Sequence, residues 1–222
     1  MAINLVKGQT IDLRKNDKGE SFDLSSVTIG LGWDVKQKGG GGFLGKLFGG
    51  GQEEEYDLDA IAFLLNDQGK VANLGRSYTN NGRTVNMYEG DVIYFNSMRH
   101  PSGNIWLTGD NRTGAGDGDD EQIIVKLDSL DAKYDRILFV VAIYAGKKNH
   151  QHFGMVDNAF IRAVDCSGKE IARFSLSGDA TFNGMCSMTF AEVYRKDGSW
   201  KFRAIGDPHP TDNFVELLQN YK

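Results

Sequence analysis

The sequence predicts an all-β fold: an antiparallel β-sandwich of about ten strands with a short C-terminal helix. Apolar residues alternate with polar or glycine residues along several short segments, turn signals recur between those segments, and a helical stripe occurs only at the C-terminus. Val27, Ile29, Leu31 and Trp33 alternate with Thr28, Gly30, Gly32 and Asp34, the period-two pattern of a strand with one buried face. Further strands are expected over 59–65, 91–95, 104–107 and 122–127, with turn signals at Asn66-Asp67-Gln68-Gly69 and Asn80-Asn81-Gly82. The run 137–145 has no polar side at all, so it is placed at the centre of a sheet covered on both faces. Hairpins are expected about Asp165-Cys166-Ser167-Gly168 and about Asp197-Gly198, where Met188, Phe190 and Tyr194 precede the turn and Trp200, Phe202 and Ala204 resume the parity. Phe214, Leu217, Leu218 and Tyr221 stand at i, i+3, i+4 and i+7, with Asn213 and Glu216 set as a capping-box-like start.

The 222 residues, 40% of them hydrophobic, suit a single domain over 1–222 with a real core. Thirty acidic against 25 basic side chains argue against nucleic-acid binding, which needs a basic stripe to displace counterions. Eight of the 28 glycines fall between Gly39 and Gly51, so 36–55 reads as a Gly-rich loop inserted between two strands. No basic segment leads into an apolar run at the N-terminus, and no stretch of apolar residues is long enough to span a membrane; the chain reads as cytoplasmic. Cys166 and Cys186 lack metal-site spacing and read as free thiols.

The negative charge is concentrated. Between Asp110 and Glu121 lie five acids (Asp110, Asp117, Asp119, Asp120, Glu121) against Arg112, and five more lie between Glu53 and Asp59. Carboxylates at this density repel one another unless a cation or a basic partner screens them. Calcium takes about six to eight oxygens from carboxylates, amide and backbone carbonyls and water, and this segment supplies each type. Gly109, Gly114, Gly116 and Gly118 permit turns that aim carbonyls inward, while Asp57 and Asp59, two apart on a strand, share one face. The segment is not an EF-hand, since Gln122 stands where the sixth-position glycine is required. On composition alone, a divalent-cation site and a solvated acidic surface loop both remain open.

The combination of Gly30-Leu-Gly-Trp-Asp34, Asp57-Leu-Asp-Ala with Ala62-Phe-Leu-Leu-Asn66, the run Gly109 to Glu121, Phe153-Gly-x-Val-x-Asn-Ala-Phe-Ile-Arg162 and Trp200-Lys-Phe-Arg-Ala204 resembles the TerD family of tellurium-resistance and stress proteins. The resemblance implies a calcium-binding β-sandwich without enzymatic activity, binding two Ca2+ ions and acting with other proteins of the same stress system. It carries the metal ligands onto Asp57, Asp59, Asp110, Asn111, Asp117, Asp119, Asp120 and Glu121, with Asp34 and Asn96 at matching positions near the same end. A calcium-dependent binder of a glycan or a phosphorylated metabolite is the alternative that the residues leave open. The sequence departs from the family over 36–55, which is longer and more apolar than the family loop.

Other constellations carry less. Gly40-x4-Gly45-Lys46 lacks the Ser or Thr of a phosphate-binding loop, because Leu47 follows. His150-x-His152 has no third ligand in view, and His100 and His209, each before proline, read as turn residues. Phe43, Leu44, Leu47 and Phe48 form an apolar cluster between glycines, suited to self-association or to peripheral contact with the inner membrane surface.

Overall fold

The computed structural model describes residues 2–15, 19, 21–35, 56–109, 118–176 and 180–222, and among them two six-stranded sheets pack face to face. The first sheet is built on β3 (Val27–Val35), flanked by β9 (Glu121–Val125) and β8 (Ile105–Leu107) on one side. On the other side lie β11 (Val156–Val164), β12 (Glu170–Leu176) and β1 (Ile3–Leu5). The second sheet is ordered β2 (Thr10–Asp12), β14 (Ser199–His209), β13 (Ser187–Lys196), β10 (Arg136–Ile143), β4 (Leu58–Leu65) and β7 (Val92–Ile93). All ladders in these sheets are antiparallel except that of β1 with β12, which is parallel. A separate ribbon pairs β5 (Arg76–Asn80) with β6 (Arg83–Tyr88) across the turn at Asn81 and Gly82.

Period-two burial builds two hydrophobic layers. Val27, Ile29, Leu31 and Trp33 of β3 meet Leu58, Ala60, Ala62 and Leu64 of β4 and Ile137, Phe139, Val141 and Ile143 of β10 in the space between the sheets. The opposite sides of β4 and β10 carry Ile61, Phe63, Leu65, Leu138, Val140 and Ala142, which are buried with Leu217 and Leu218. The expectation for 137–145 holds over 137–143, where β10 lies between β13 and β4 in one direction and between the inter-sheet core and the C-terminal segment in the other; beyond the strand Tyr144 is exposed and Ala145 turns left-handed. That segment forms helix α2 (Phe214–Leu218), after a one-turn α1 (Gly146–Asn149), and continues as a 3-10 turn over Gln219–Tyr221. The Asn213 side chain caps it by accepting the Val215 N–H at 3.1 Å. Phe214 and Tyr221 pack on Phe63, with ring centroids 6.4 and 5.9 Å apart.

Both histidines expected in turns do more than turn the chain. His209 is the last residue of β14 and His100 follows the bridge residue Arg99, as suits the extended conformation that proline favours in its predecessor. His100 is buried: Ser102 N–H donates to its Nδ1, and Nε2 faces Asp91 Oδ1 at 3.2 Å, where the Tyr134 hydroxyl also donates at 2.7 Å. His209 closes β14 with Nε2 2.9 Å from the Thr189 hydroxyl, and burial lowers its pKa. Cys166 is an exposed free thiol and Cys186 a buried one, as read from their spacing.

Candidate functional site

The C-terminal half of β3, the residues entering β4 and β9, and the start of β11 meet at one end of the sandwich. Val35 and Asp34 pair with Val156 and Asp157, and Leu31 pairs with Glu121. The main chain is tied there from both sheets: Trp33 Nε1 donates to the Tyr56 carbonyl at 3.2 Å, Tyr144 N–H to the Asp57 carbonyl at 2.8 Å, and the Tyr56 hydroxyl contacts Met155 Sδ at 3.1 Å. The acidic residues emerge on this frame, so their positions are set by buried aromatic and strand contacts.

Three consecutive acids point three ways. Asp119 follows Gly118, whose φ of +111° turns the chain into β9, and its carboxylate lies on the outer face of the first sheet. There Arg162 Nε donates to Oδ1 at 2.7 Å and Gln122 Nε2 to Oδ2 at 3.1 Å. The carboxylate occupies the space of a missing side chain: a Cβ on Gly30 would stand 2.2 Å from Asp119 Cγ. Asp120 is half-buried at the end of β3, where its Oδ2 accepts the Trp33 N–H at 2.9 Å. Burial raises the pKa of its carboxyl; the Trp33 hydrogen bond opposes this, and the like charges of Asp34 and Asp119 add to it. Glu121 is buried on the inner side of β9 and accepts the Ala60 N–H, which clips β4 to the first sheet.

Asp34 is exposed and accepts from Asn158 Nδ2 at 2.7 Å; Asn158 has a left-handed φ of +52° within the irregularity between Asp157 and Phe160. Asp59 is 7% exposed and lies on the side of β4 that carries Ile61 and Phe63, away from Glu121. Asp57 precedes β4 and is half-buried. Asn96 accepts from Arg83 Nη2 of the ribbon at 2.7 Å. Among the described residues, no group of three or more His, Cys, Asp or Glu side chains is arranged to hold a metal ion. Asp110, Asn111 and Asp117, together with the insert 36–55 and its Phe43, Leu44, Leu47 and Phe48, lie outside the described residues.

Sequence reading assigned no role to Arg162, Gln122 or Gly30. Arg162 stands 43 positions from Asp119, so its pairing follows only from the strand register that sets Arg162 against Gly30. Glycines at 30 and 32 on the polar parity of β3 were the available signal. Each marks a place where a neighbouring side chain lies over the strand: Asp119 at Gly30 and the Phe160 ring at Gly32.

The family follows from comparison with known proteins, where the family model of the TerD domain matches residues 1–221. The chain belongs to the TerD family. This TerD-family chain is 59% identical over 221 residues to tellurium resistance protein TerX of Serratia marcescens, covering 100% of each. It is 38% identical over 222 residues to stress response protein SCP2 of Bacillus subtilis (strain 168), again covering 100% of each. A crystal structure of a homologue of telluride resistance protein (TerD) from Streptomyces coelicolor A3(2) superposes with a TM-score of 0.58 at 21% identity, over 89% of this chain and 98% of that one. That likeness shows the same fold. None of the helices among the described residues is long and apolar enough to cross a membrane.

Proposed function

We propose that this TerD-family protein is a calcium-binding protein of the tellurium-resistance and stress-response type, working in the cytoplasm through contacts with other proteins of the same system and without catalysing a reaction. The observation that carries this reading is the seating of Asp120, the neighbour of Asp119, on the Trp33 N–H at 2.9 Å, one residue from the like-charged Asp34 at the end of the sandwich. A divalent cation relieves that repulsion. The donors described there are carboxylate oxygens, and the acidic segment also carries Asp110, Asn111 and Asp117 in sequence; hard oxygen donors of this kind fit calcium. The names of the relatives support the stress-response role.

Calcium titration with calorimetry tests the reading. At 100 times its dissociation constant, calcium adds about 2.7 kcal/mol. In a chain of this length, that raises the melting temperature by about 5–10 °C. Magnesium is expected to do much less, because it demands a tighter octahedral shell. Equal melting temperatures with calcium and with chelator would refute it.

A further inference from the structure

At the end of the sandwich where β4 finishes and β10 begins, the connecting segments bring Asp91, His100 and Tyr134 together, and Ser102 closes the group from the solvent side. The side chains of Asp91 and His100 are 1% and 7% exposed, whereas Ser102 is exposed. The turn His100-Pro101-Ser102-Gly103 is closed by the Gly103 N–H, which donates to the His100 carbonyl at 2.9 Å, and it folds Ser102 back onto the ring. Ser102 Oγ lies 2.8 Å from Nδ1, and the Ser102 N–H donates to the same nitrogen at 3.1 Å. Nδ1 is therefore an acceptor, and the ring proton belongs on Nε2, 3.2 Å from Asp91 Oδ1. Asp91 also accepts from the Tyr134 hydroxyl at 2.7 Å and from the Asn73 N–H at 2.8 Å, and these hydrogen bonds hold it ionised against burial.

A hydroxyl bonded to an imidazole whose far nitrogen faces a buried carboxylate is the arrangement of an activated nucleophile. The base keeps a free lone pair on the side of the hydroxyl, and the carboxylate that stabilises the resulting imidazolium is already in place. We propose that Ser102 is an acceptor site for an acyl group, taken from an activated acyl donor of the acyl-phosphate or aryl-ester kind, with His100 as the general base and Asp91 and Tyr134 as positioning residues. The Oγ–C bond forms as the Oγ proton passes to His100 Nδ1. The bond from the acyl carbon to the leaving oxygen then breaks, that oxygen departs with its electron pair, and the imidazolium gives its proton to water. The two amides after Ser102 are engaged elsewhere, the Gly103 N–H on the His100 carbonyl and the Asn104 N–H on Ser102 Oγ at 3.2 Å, so neither cradles an oxyanion. This suits a single covalent event per chain rather than turnover, and the site stands beside the non-enzymatic reading above.

The experiment treats the full chain and its Ser102→Ala, His100→Asn and Tyr134→Phe variants with p-nitrophenyl acetate, follows the release of p-nitrophenolate, and locates the acetyl group by peptide mass spectrometry. Calorimetry checks that each variant is folded. The expected result is one acetyl group on Ser102 in the wild type, its loss from that peptide in Ser102→Ala, and a fall of about 100-fold in the Ser102 rate for His100→Asn. Tyr134→Phe keeps the ring and removes only a donor to Asp91, so it slows the reaction less than His100→Asn does. Should His100→Asn fail to fold, the wild-type pH profile decides: the Ser102 rate rises as the imidazole loses its proton and then levels off. Among the described residues, the ionisable groups facing that ring are Asp91 and Tyr134, with Lys133 Nζ 4.8 Å from the Tyr134 ring centroid. A Ser102 rate that climbs with hydroxide without a plateau overturns the proposal. So does acetylation confined to other residues, or an equal Ser102 rate in the wild type and a folded His100→Asn.

Discussion

Gly30→Ala is a one-carbon change whose cost follows from the seat of Asp119. The added Cβ would stand 2.2 Å from Asp119 Cγ and 2.2 and 2.4 Å from its two oxygens, so the carboxylate must leave. Its departure strips Arg162, whose side chain is 25% exposed, of its shortest ion pair and leaves it Glu170 alone. Removing one partner of a buried pair costs about 3–5 kcal/mol. The remaining partner and the partial exposure of Arg162 reduce this to roughly 2–3 kcal/mol. Restricting the unfolded chain by replacing glycine returns about 0.4–1 kcal/mol. The net loss of roughly 2 kcal/mol corresponds to a fall of about 4–8 °C in melting temperature for a chain of this size. Differential scanning calorimetry in chelator measures it, with Gly109→Ala as the control, since a Cβ at Gly109 meets nothing within 4 Å among the described residues. In an Asp119→Ala background the same Gly30 substitution loses its obstacle and becomes nearly neutral. An equal loss in both backgrounds, or a melting temperature within a degree of wild type in the single variant, would refute the assignment of Gly30 as the seat of the carboxylate.

Two further outcomes are expected. Burial pushes the Asp91 carboxyl up, but hydrogen bonds from His100, Tyr134 and the Asn73 N–H outweigh it and hold the pKa below the usual carboxylate value. The stability this confers is complete above about pH 4 and is lost as pH falls through the lower folded value. Asp91→Asn therefore lowers stability at neutral pH by about 1–3 kcal/mol. It also makes the acid decline shallower, and an unchanged slope in calorimetric scans between about pH 2.5 and 7 would contradict the account. For the thiols, iodoacetamide is expected to modify one cysteine per native chain, Cys166, because Cys186 is buried and burial raises the pKa of its thiol. Mass spectrometry of the native and denatured protein, with Cys166→Ser as reference, decides this.

The parts of the fold legible in the sequence are those in which one face meets the core. β3 and the hairpin β11–β12 announce themselves because the apolar face turned to the core forces alternation, β10 because burial on both sides removes it, and the hairpin β13–β14 through its Asp197-Gly198 turn, although Ser187 to Val193 of β13 are all buried. The C-terminal stripe was legible because Leu217 and Leu218 both turn inward on a capped helix. The β5–β6 ribbon gave only its turn, because all five residues of β5 are exposed and no apolar parity marks them. β1 and β2 span three residues each and depend on long-range pairing, with β12 and β14 respectively. At the site, acidity was local in sequence and easy to see, whereas the groups that neutralise it were not: Arg162 lies 43 residues from Asp119 and the Ala60 N–H 61 residues from Glu121.

Those distant groups bear on what a cation would do in this TerD-family protein. Consecutive acids in one strand end would repel one another strongly if they shared a direction, but the turn at Gly118 and the start of β9 send them to different partners. Asp119 goes out to a guanidinium, Asp120 along the strand end to the Trp33 N–H, and Glu121 inward to the Ala60 N–H. Each partner belongs to an element that the hydrophobic core already orders, so these hydrogen bonds form as a consequence of strand registration. The repulsion left over is that of Asp120 with Asp34 and Asp119, a local cost raised further by burial. A cation bound there lowers that cost without having to assemble the sandwich. On the calcium reading proposed above, the ion would change the charge at one end of a sandwich whose strands the core already registers.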